Sequence, residues 1–166
     1  MATSLNERLF FEEGEYPITV TPIWDKDMIV CPEHLRVKNS GDEPYQITAK
    51  LFGLRTSMTT KDVIDAMREL GVMPLFHFEL AELLLRYRYL AKGRDVAALG
   101  NHIRQNRYPY MTTIMEGRLR RNVIEYSSCY CPMPNAKDWY HVKLWDTKSH
   151  LRFAVTRINS SNQVGA

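Results

Sequence analysis

Hydrophobic residues recur at the helical period between Ser57 and Gly93, and this stretch divides into two predicted helices. The apolar positions of the first share one face at a 3.6-residue repeat: Val63, Ile64, Met67 and Leu70. Thr59 is the expected N-cap of this helix. Gly71 supplies a left-handed residue at its C-terminal end, and Pro74 prevents its continuation.

The second predicted helix runs from Leu75 to Lys92 and is far more apolar. Its apolar residues cover most of the circumference: Leu75, Phe76, Phe78, Leu80, Leu83, Leu84, Leu85, Tyr87, Tyr89 and Leu90. A helix that is apolar nearly all round is typically buried on several sides. We therefore expect a central core helix with a sheet packed against it.

Alternation of apolar and polar residues predicts strands before and after these helices. The strands before them are Tyr16–Trp24, Met28–Cys31, Leu35–Lys38 and Tyr45–Leu51. Those after them are Tyr110–Met115 and Leu119–Tyr126, joined in a hairpin at Glu116-Gly117, and then Tyr140–Trp145 and Leu151–Ile158. The run Val96–Leu99 is interpreted as a short helix or a buried turn that ends at Gly100.

Strands on both sides of two helices predict an α+β fold. We expect a mostly antiparallel sheet with a two-helix hairpin packed on one face. A chain of 166 residues fits one domain. This domain is predicted over residues 1–158, and the polar residues 159–166 are predicted to form a disordered tail.

The N-terminal sequence lacks the basic start and apolar run of a secretory signal. No stretch of 18 apolar residues predicts a membrane span. Three cysteines, an odd number, argue against a secreted disulfide framework. We therefore expect a cytoplasmic protein that has no membrane partner.

Residues 57–157 carry a pattern of turn and core residues that extends beyond the helices. The pattern consists of Met58-Thr59-Thr60, Val63, Met67, Gly71, Pro74, Glu79-Leu80, Ala98-Leu99-Gly100 and Arg152-Phe153-Ala154-Val155. It resembles an uncharacterised group of short proteins from ultra-small candidate-phylum bacteria. The group usually has a capping Thr after the turn proline, where this chain has Leu75-Phe76-His77. The resemblance implies a fold and brings no activity with it.

Charge is distributed unevenly along the chain, whose net charge is +3. Residues 84–121 hold nine basic and two acidic side chains, whereas residues 1–83 hold eight basic and fourteen acidic ones. One interpretation is a basic surface for an anionic partner. The other is that the acidic and basic parts of the chain neutralise each other across the fold.

The basic segment favours phosphate recognition, because most of its cations are arginines and tyrosines are interleaved with them. We therefore predict a non-catalytic binding module for an anionic partner, with nucleic acid as the leading candidate. The predicted nucleic-acid-binding residues are Arg86, Arg88, Lys92, Arg94, Arg104, Arg107, Tyr108, Arg118, Arg120 and Arg121. The alternative is a protein–protein interaction domain, such as a viral or assembly component, with Trp139, Tyr140 and Trp145 as anchors.

A second alternative is a small enzyme or a zinc protein. Cys31 and His34 have C-x₂-H spacing, Cys129 and Cys131 form a C-x-C, and together they would provide four zinc ligands. About 95 residues separate the two halves, and C-x-C is not the usual zinc-knuckle spacing. The sequence therefore predicts no metal and no cofactor.

No catalytic residue is assigned, because the chain carries none of the common nucleotide-binding, hydrolase or metalloprotease motifs. Glu79 and Glu82 lie three residues apart on one predicted helix and would suit a paired-carboxylate site. Their place near the start of the helix favours a simpler role, stabilising its N-terminal end.

Overall fold

The structure is a computed structural model that describes residues 5–24, 28–30, 41–105, 108–132 and 152–157. The helices are α1 (Leu5–Arg8), α2 (Thr60–Glu69) and α3 (His77–Arg86), followed by a 3-10 helix (Arg88–Ala91). The strands are β1 (Leu9–Phe11), β2 (Tyr16–Val20), β3 (Met28–Val30), β4 (Tyr45–Leu54), β5 (Val72–Pro74), β6 (Val96–Gln105), β7 (Tyr108–Arg120), β8 (Val123–Pro132) and β9 (Arg152–Arg157). No helix among the described residues is long and apolar enough to cross a membrane.

These nine strands form one sheet in the order β1-β4-β9-β6-β7-β8. Strand β2 pairs with β4, β3 with β6, and β5 with β9. The β6–β9 pair is parallel, and the other described pairs are antiparallel. The predicted α+β class with a mostly antiparallel sheet is therefore confirmed.

The core forms two clusters, one on each face of the sheet. Alternate residues of the central strands enter different clusters, because successive strand side chains point to opposite faces. Phe52, Leu99 and Phe153 pack with α2, whereas Leu51, Val96 and Ala154 pack with α3. The two helices thus lie on opposite faces of the sheet, which differs from the predicted hairpin on one face. The reason is β5, which lies between them and joins the sheet beside β9.

Helix α2 begins and ends as its sequence predicts. The Thr59 hydroxyl oxygen accepts a hydrogen bond from the Asp62 N–H at 3.1 Å, which satisfies one of the unpaired donors of the first turn. At the other end Gly71 has φ +71°, a conformation that glycine adopts without steric cost. Both ends are set by residues close in sequence, which explains why the pattern alone located them.

Helix α3 is shorter than predicted and is buried on one side. It ends at Arg86, because Tyr87 leaves the helical region (φ −125°, ψ 60°). Its residues in the core are Phe78, Leu80, Leu83 and Leu84. Leu85 is 72% exposed and Tyr89 60% exposed, so the prediction of a helix buried on several sides is wrong for the outer face.

Two further predictions are corrected in the second half of the sheet. Val96–Leu99 is the start of the long strand β6, and it reads as an apolar run because both of its faces are buried. Glu116-Gly117 is not a turn but lies inside the 13-residue strand β7. The hairpin turn falls at Arg121-Asn122, between the paired residues Arg120 and Val123.

Candidate nucleic-acid interface

The predicted binding residues do not all lie in one place. Arg94 contacts Glu12 between β1 and β2, Arg118 and Arg120 lie along β7, and Arg88 contacts the end of the β7–β8 hairpin, where Arg121 lies in the turn. Lys92 is bridged to Leu119 of β7, and Arg86 is the last residue of α3. Arg104 is in β6 and Tyr108 begins β7, where the structure gives their backbone pairing only. Arg107 falls outside the described residues.

Arg94 belongs to a set of ion pairs that we call the Glu12 clamp, formed by Glu12, Arg94 and Arg152. Arg94 Nη1 donates to both Glu12 carboxylate oxygens, at 2.5 and 2.7 Å, and Arg152 Nε donates to one of them at 2.7 Å. The Arg94 Nε donates to the Leu90 carbonyl oxygen at 2.7 Å. The Arg152 guanidinium also stacks over the Phe10 ring at 5.0 Å.

The clamp is partly buried: its three side chains are 15–24% exposed. It joins residues that are 82 and 140 positions apart in the chain. Charge-assisted hydrogen bonds of this kind are strong when they are shielded from water. Arg94 is therefore occupied in holding the N-terminal segment to the sheet.

Arg118 and Arg120 lie on β7, and each has an acidic side chain near it. Arg118 Nε lies 3.5 Å from an oxygen of Asp95, and Arg120 Nε lies 3.5 Å from an oxygen of Glu125 on β8. Burial and the nearby Asp95 carboxylate raise the pKa of Glu116 to about 6. This side of β7 thus carries both signs of charge.

We use the name basic corner for the remaining cations with described side chains: Arg88 and Arg121 at the hairpin turn, Lys92 beside β7, and Arg86, which ends α3 two residues before Arg88. Arg88 Nη1 donates to the backbone carbonyl oxygen of Asn122 at 2.9 Å, which joins the 3-10 helix after α3 to the hairpin turn. Lys92 is bridged through its backbone to Leu119 of β7. All four residues are exposed, and none forms an ion pair with an acidic side chain of a described residue.

The local backbone explains why these residues meet. Arg121 and Asn122 have φ values of 49° and 66°, as a two-residue type I′ hairpin turn requires. The 3-10 helix Arg88–Ala91 turns the chain after α3, so that Arg88 reaches the turn. Helix α3 packs closely on β7 through Leu84. A Cβ atom added at Gly117 would collide with Leu84 Cδ1, so this approach requires a glycine.

Tyrosines border the basic corner on the side of β2. The rings of Tyr87 and Tyr89 meet edge to face with centroids 6.4 Å apart, and Tyr16 packs on Tyr87 at 5.1 Å. Burial, then the neighbouring Tyr89 and Glu12, raise the pKa of Tyr16. Tyr126 lies elsewhere, on β8, where burial and the Glu82 carboxylate raise its pKa.

The zinc alternative falls mostly outside what the structure describes, since Cys31 and His34 are not among the described residues. Cys129 and Cys131 are in β8, paired with Ile114 and Thr112 of β7. Strand β3, which precedes Cys31, pairs with β6 on the other side of β7. Within the described part of the chain, no group of three His, Cys, Asp or Glu residues is arranged to hold a metal ion.

Glu79 has the helix-end role that its position favours. One carboxylate oxygen accepts from the Phe76 N–H at 2.7 Å, and the other accepts from the Tyr45 hydroxyl at 2.8 Å. Glu79 is 1% exposed, whereas Glu82 is half-buried near Tyr126. The two carboxylates thus have different partners, which does not favour a paired acid–base site. The anchors Trp139, Tyr140 and Trp145 lie outside the described residues.

Comparison with models of protein families, with curated proteins and with solved structures finds no match to this chain. The resemblance to the candidate-phylum bacterial group therefore stays a prediction. Sequence reasoning missed Glu12 as a partner of the basic segment. The only signal was the acidic excess of the first half, which does not indicate which acid meets which arginine.

Proposed function

We propose that this chain is a non-catalytic binding module for an anionic partner, nucleic acid, and that the basic corner is its contact surface. The observation that carries the proposal is the Arg88–Asn122 hydrogen bond, which brings the 3-10 helix after α3 and the hairpin turn together, each of them carrying an exposed arginine. Four exposed cations without a described acidic partner attract a phosphate backbone, because their binding releases counterions condensed on it. Arginine additionally suits phosphate geometry.

The proposal narrows the set of residues predicted from the sequence. Arg94 is bound within the Glu12 clamp, and Arg118 and Arg120 have acidic neighbours. The contact surface therefore rests on Arg86, Arg88, Lys92 and Arg121. These four cations are suited to phosphates rather than to base edges, so the affinity should depend little on sequence.

The test is a fluorescence-anisotropy titration of a short labelled oligonucleotide at low and physiological salt. A corner variant, R86Q/R88Q/K92Q, should lose most of the binding. Its matched control, R8Q/R68Q/R157Q, removes the same number of cations from ion pairs that lie away from the hairpin turn. With about four phosphates contacted, log affinity should fall against log salt with a slope of about −2.8 for a single strand to about −3.6 for a duplex, which the corner variant should flatten. Equal losses in the two variants would mean that overall charge, not the corner, governs binding.

A second candidate function, a protein-interaction domain, is favoured by apolar side chains beside the corner. Leu85 precedes Arg86 and is largely exposed, and Val123 follows the hairpin turn and is also exposed. Exposed large apolar residues next to arginines are common at protein interfaces. Failure of any oligonucleotide to bind at low salt would favour this candidate over the first.

A further inference from the structure

Tyr89 places an exposed aromatic ring beside the basic corner. Its side chain is the most exposed of the tyrosines bordering the corner, and it directly follows Arg88 in the chain. The Tyr89 carbonyl oxygen accepts a hydrogen bond from the Lys92 N–H at 3.1 Å, so the 3-10 helix holds the two residues one turn apart. A ring and two cations therefore face solvent within one short turn.

The Tyr89 ring is supported from beneath by other aromatic residues. Tyr87 meets it at an interplanar angle of 88°, and the Tyr87 hydroxyl donates to the Pro17 carbonyl oxygen at 2.9 Å. Tyr16 packs on Tyr87, with ring centroids 5.1 Å apart. Aromatic pairs prefer edge-to-face contacts of this kind to a direct face-to-face sandwich. The contact with Tyr87 thus restricts the Tyr89 ring before any ligand arrives, which lowers the entropic cost of stacking on it.

We infer that the partner is a single-stranded nucleic acid, one of whose bases stacks on Tyr89 while Arg88 and Lys92 contact the flanking phosphates. This inference rests on the proposed function and adds the strand type to it. Stacking on an exposed aromatic side chain suits any base, because every base has a π-face. In a duplex those faces are already covered by neighbouring base pairs, so the ring has nothing to stack on.

The experiment compares three labelled probes of equal length: an oligo-dT strand, the same strand with abasic sites in place of bases, and a duplex. The wild type should bind oligo-dT most tightly. Tyr89→Leu should weaken that binding by about fivefold to a hundredfold, the range measured for loss of one stacked base. Its affinity for the abasic strand should change by less than about twofold, because that probe has the phosphates but no base to stack.

Two matched variants separate stacking from other effects. Tyr89→Phe keeps the ring and should bind oligo-dT as the wild type does. Tyr126→Leu removes another exposed tyrosine, which lies beside Glu82 rather than beside cations, and it should also leave binding unchanged. Thermal unfolding of each variant checks that the fold is retained, as expected for exposed positions.

The outcomes distinguish this inference from the proposed function. Equal binding of the three probes, or of Tyr89→Leu and wild type to oligo-dT, would overturn base stacking and leave a phosphate-binding corner standing. Binding of none of the probes at low salt would overturn the proposed function and this inference with it.

Discussion

The Glu12 clamp and the basic corner each take cations from the short segment 86–94, yet the surroundings of these cations differ. Arg94 is partly buried and is bound by a carboxylate from the N-terminal strands. Arg86, Arg88, Lys92 and Arg121 face solvent without an acidic partner among the described residues. The difference teaches that a basic stretch of sequence does not define a basic surface. Partners distant in the chain decide which cations remain available.

The clamp should contribute most to stability, and Glu12→Gln should reveal this. The substitution leaves two partly buried guanidinium groups without their counter-charge, at a cost of about 3 kcal/mol of unfolding free energy. Urea unfolding measures the loss. Glu15→Gln is the control, since Glu15 meets Arg157 at 3.6 Å with both side chains mostly exposed, and it should cost less than about 0.5 kcal/mol.

The same variant also tests whether the two regions are independent. If the clamp is structural only, the folded Glu12→Gln protein should bind oligonucleotides within about twofold of the wild type, because Glu12 pairs with Arg94 and Arg152 and with none of the four corner cations. A large gain in affinity would show that Arg94 becomes available as a further binding residue, and the contrast between the regions would weaken.

Gly117→Ala should disturb the support of the basic corner. A Cβ at this position would collide with Leu84 Cδ1, so the Leu84 side chain, α3 or β7 must shift, at a cost of about 1–3 kcal/mol. Where α3 moves, oligonucleotide binding should also weaken. In a Leu84→Ala background the collision is relieved, and the added cost of Gly117→Ala should shrink. Full additivity of the two substitutions would contradict the packing described.

Glu116→Gln should change the pH dependence of stability. The pKa of Glu116 is raised to about 6 from an ordinary value of 4.5, so the folded protein holds this proton more tightly than the unfolded chain. Its stabilising contribution is full below pH 4.5 and is lost as pH rises through 6. The neutral variant should therefore match the wild type near pH 4 and exceed it at pH 7 by up to about 2 kcal/mol.

Urea unfolding across this pH range measures the effect, and NMR titration of the Glu116 carboxyl checks its source. Asp95→Asn removes the second cause of the shift, so it should move the Glu116 titration to lower pH. If the difference in unfolding free energy between Glu116→Gln and the wild type is the same at pH 4 and pH 7, the pKa of Glu116 is not raised.

The parts of the fold set by local chemistry could be predicted from the sequence. Thr59 and Gly71 fix the two ends of α2 through bonds within one turn. Val96–Leu99 could not be assigned, because an apolar run with both faces buried fits a strand or a helix. Gly117 was interpreted as a turn residue, but it is needed for the close approach of Leu84.

The candidate site was predictable only as a list of cations. The sequence located the basic segment but could not separate Arg94 from Arg88, because Glu12 is 82 residues away from its partner. The hairpin turn is at Arg121-Asn122, and this pair indicates a turn less strongly in the sequence than Glu116-Gly117 does. Asparagine nevertheless tolerates the positive φ that such a turn requires. Long-range pairing decides both points, and residue spacing does not encode it.

Arg120→Gln should have the smallest effect of all, and it sets the boundary of the basic corner. Arg120 is one residue from the hairpin turn, but its Nε lies 3.5 Å from Glu125 and both side chains are about 60% exposed. Ion pairs of this kind contribute little, so unfolding free energy should change by less than about 0.5 kcal/mol. Oligonucleotide affinity should fall by less than about twofold, whereas Arg88→Gln should lower it several-fold. Anisotropy titrations at low salt make the comparison. Equal losses of affinity in the two variants would extend the binding surface along β7. The ion pair with Glu125 would then not prevent Arg120 from binding the oligonucleotide.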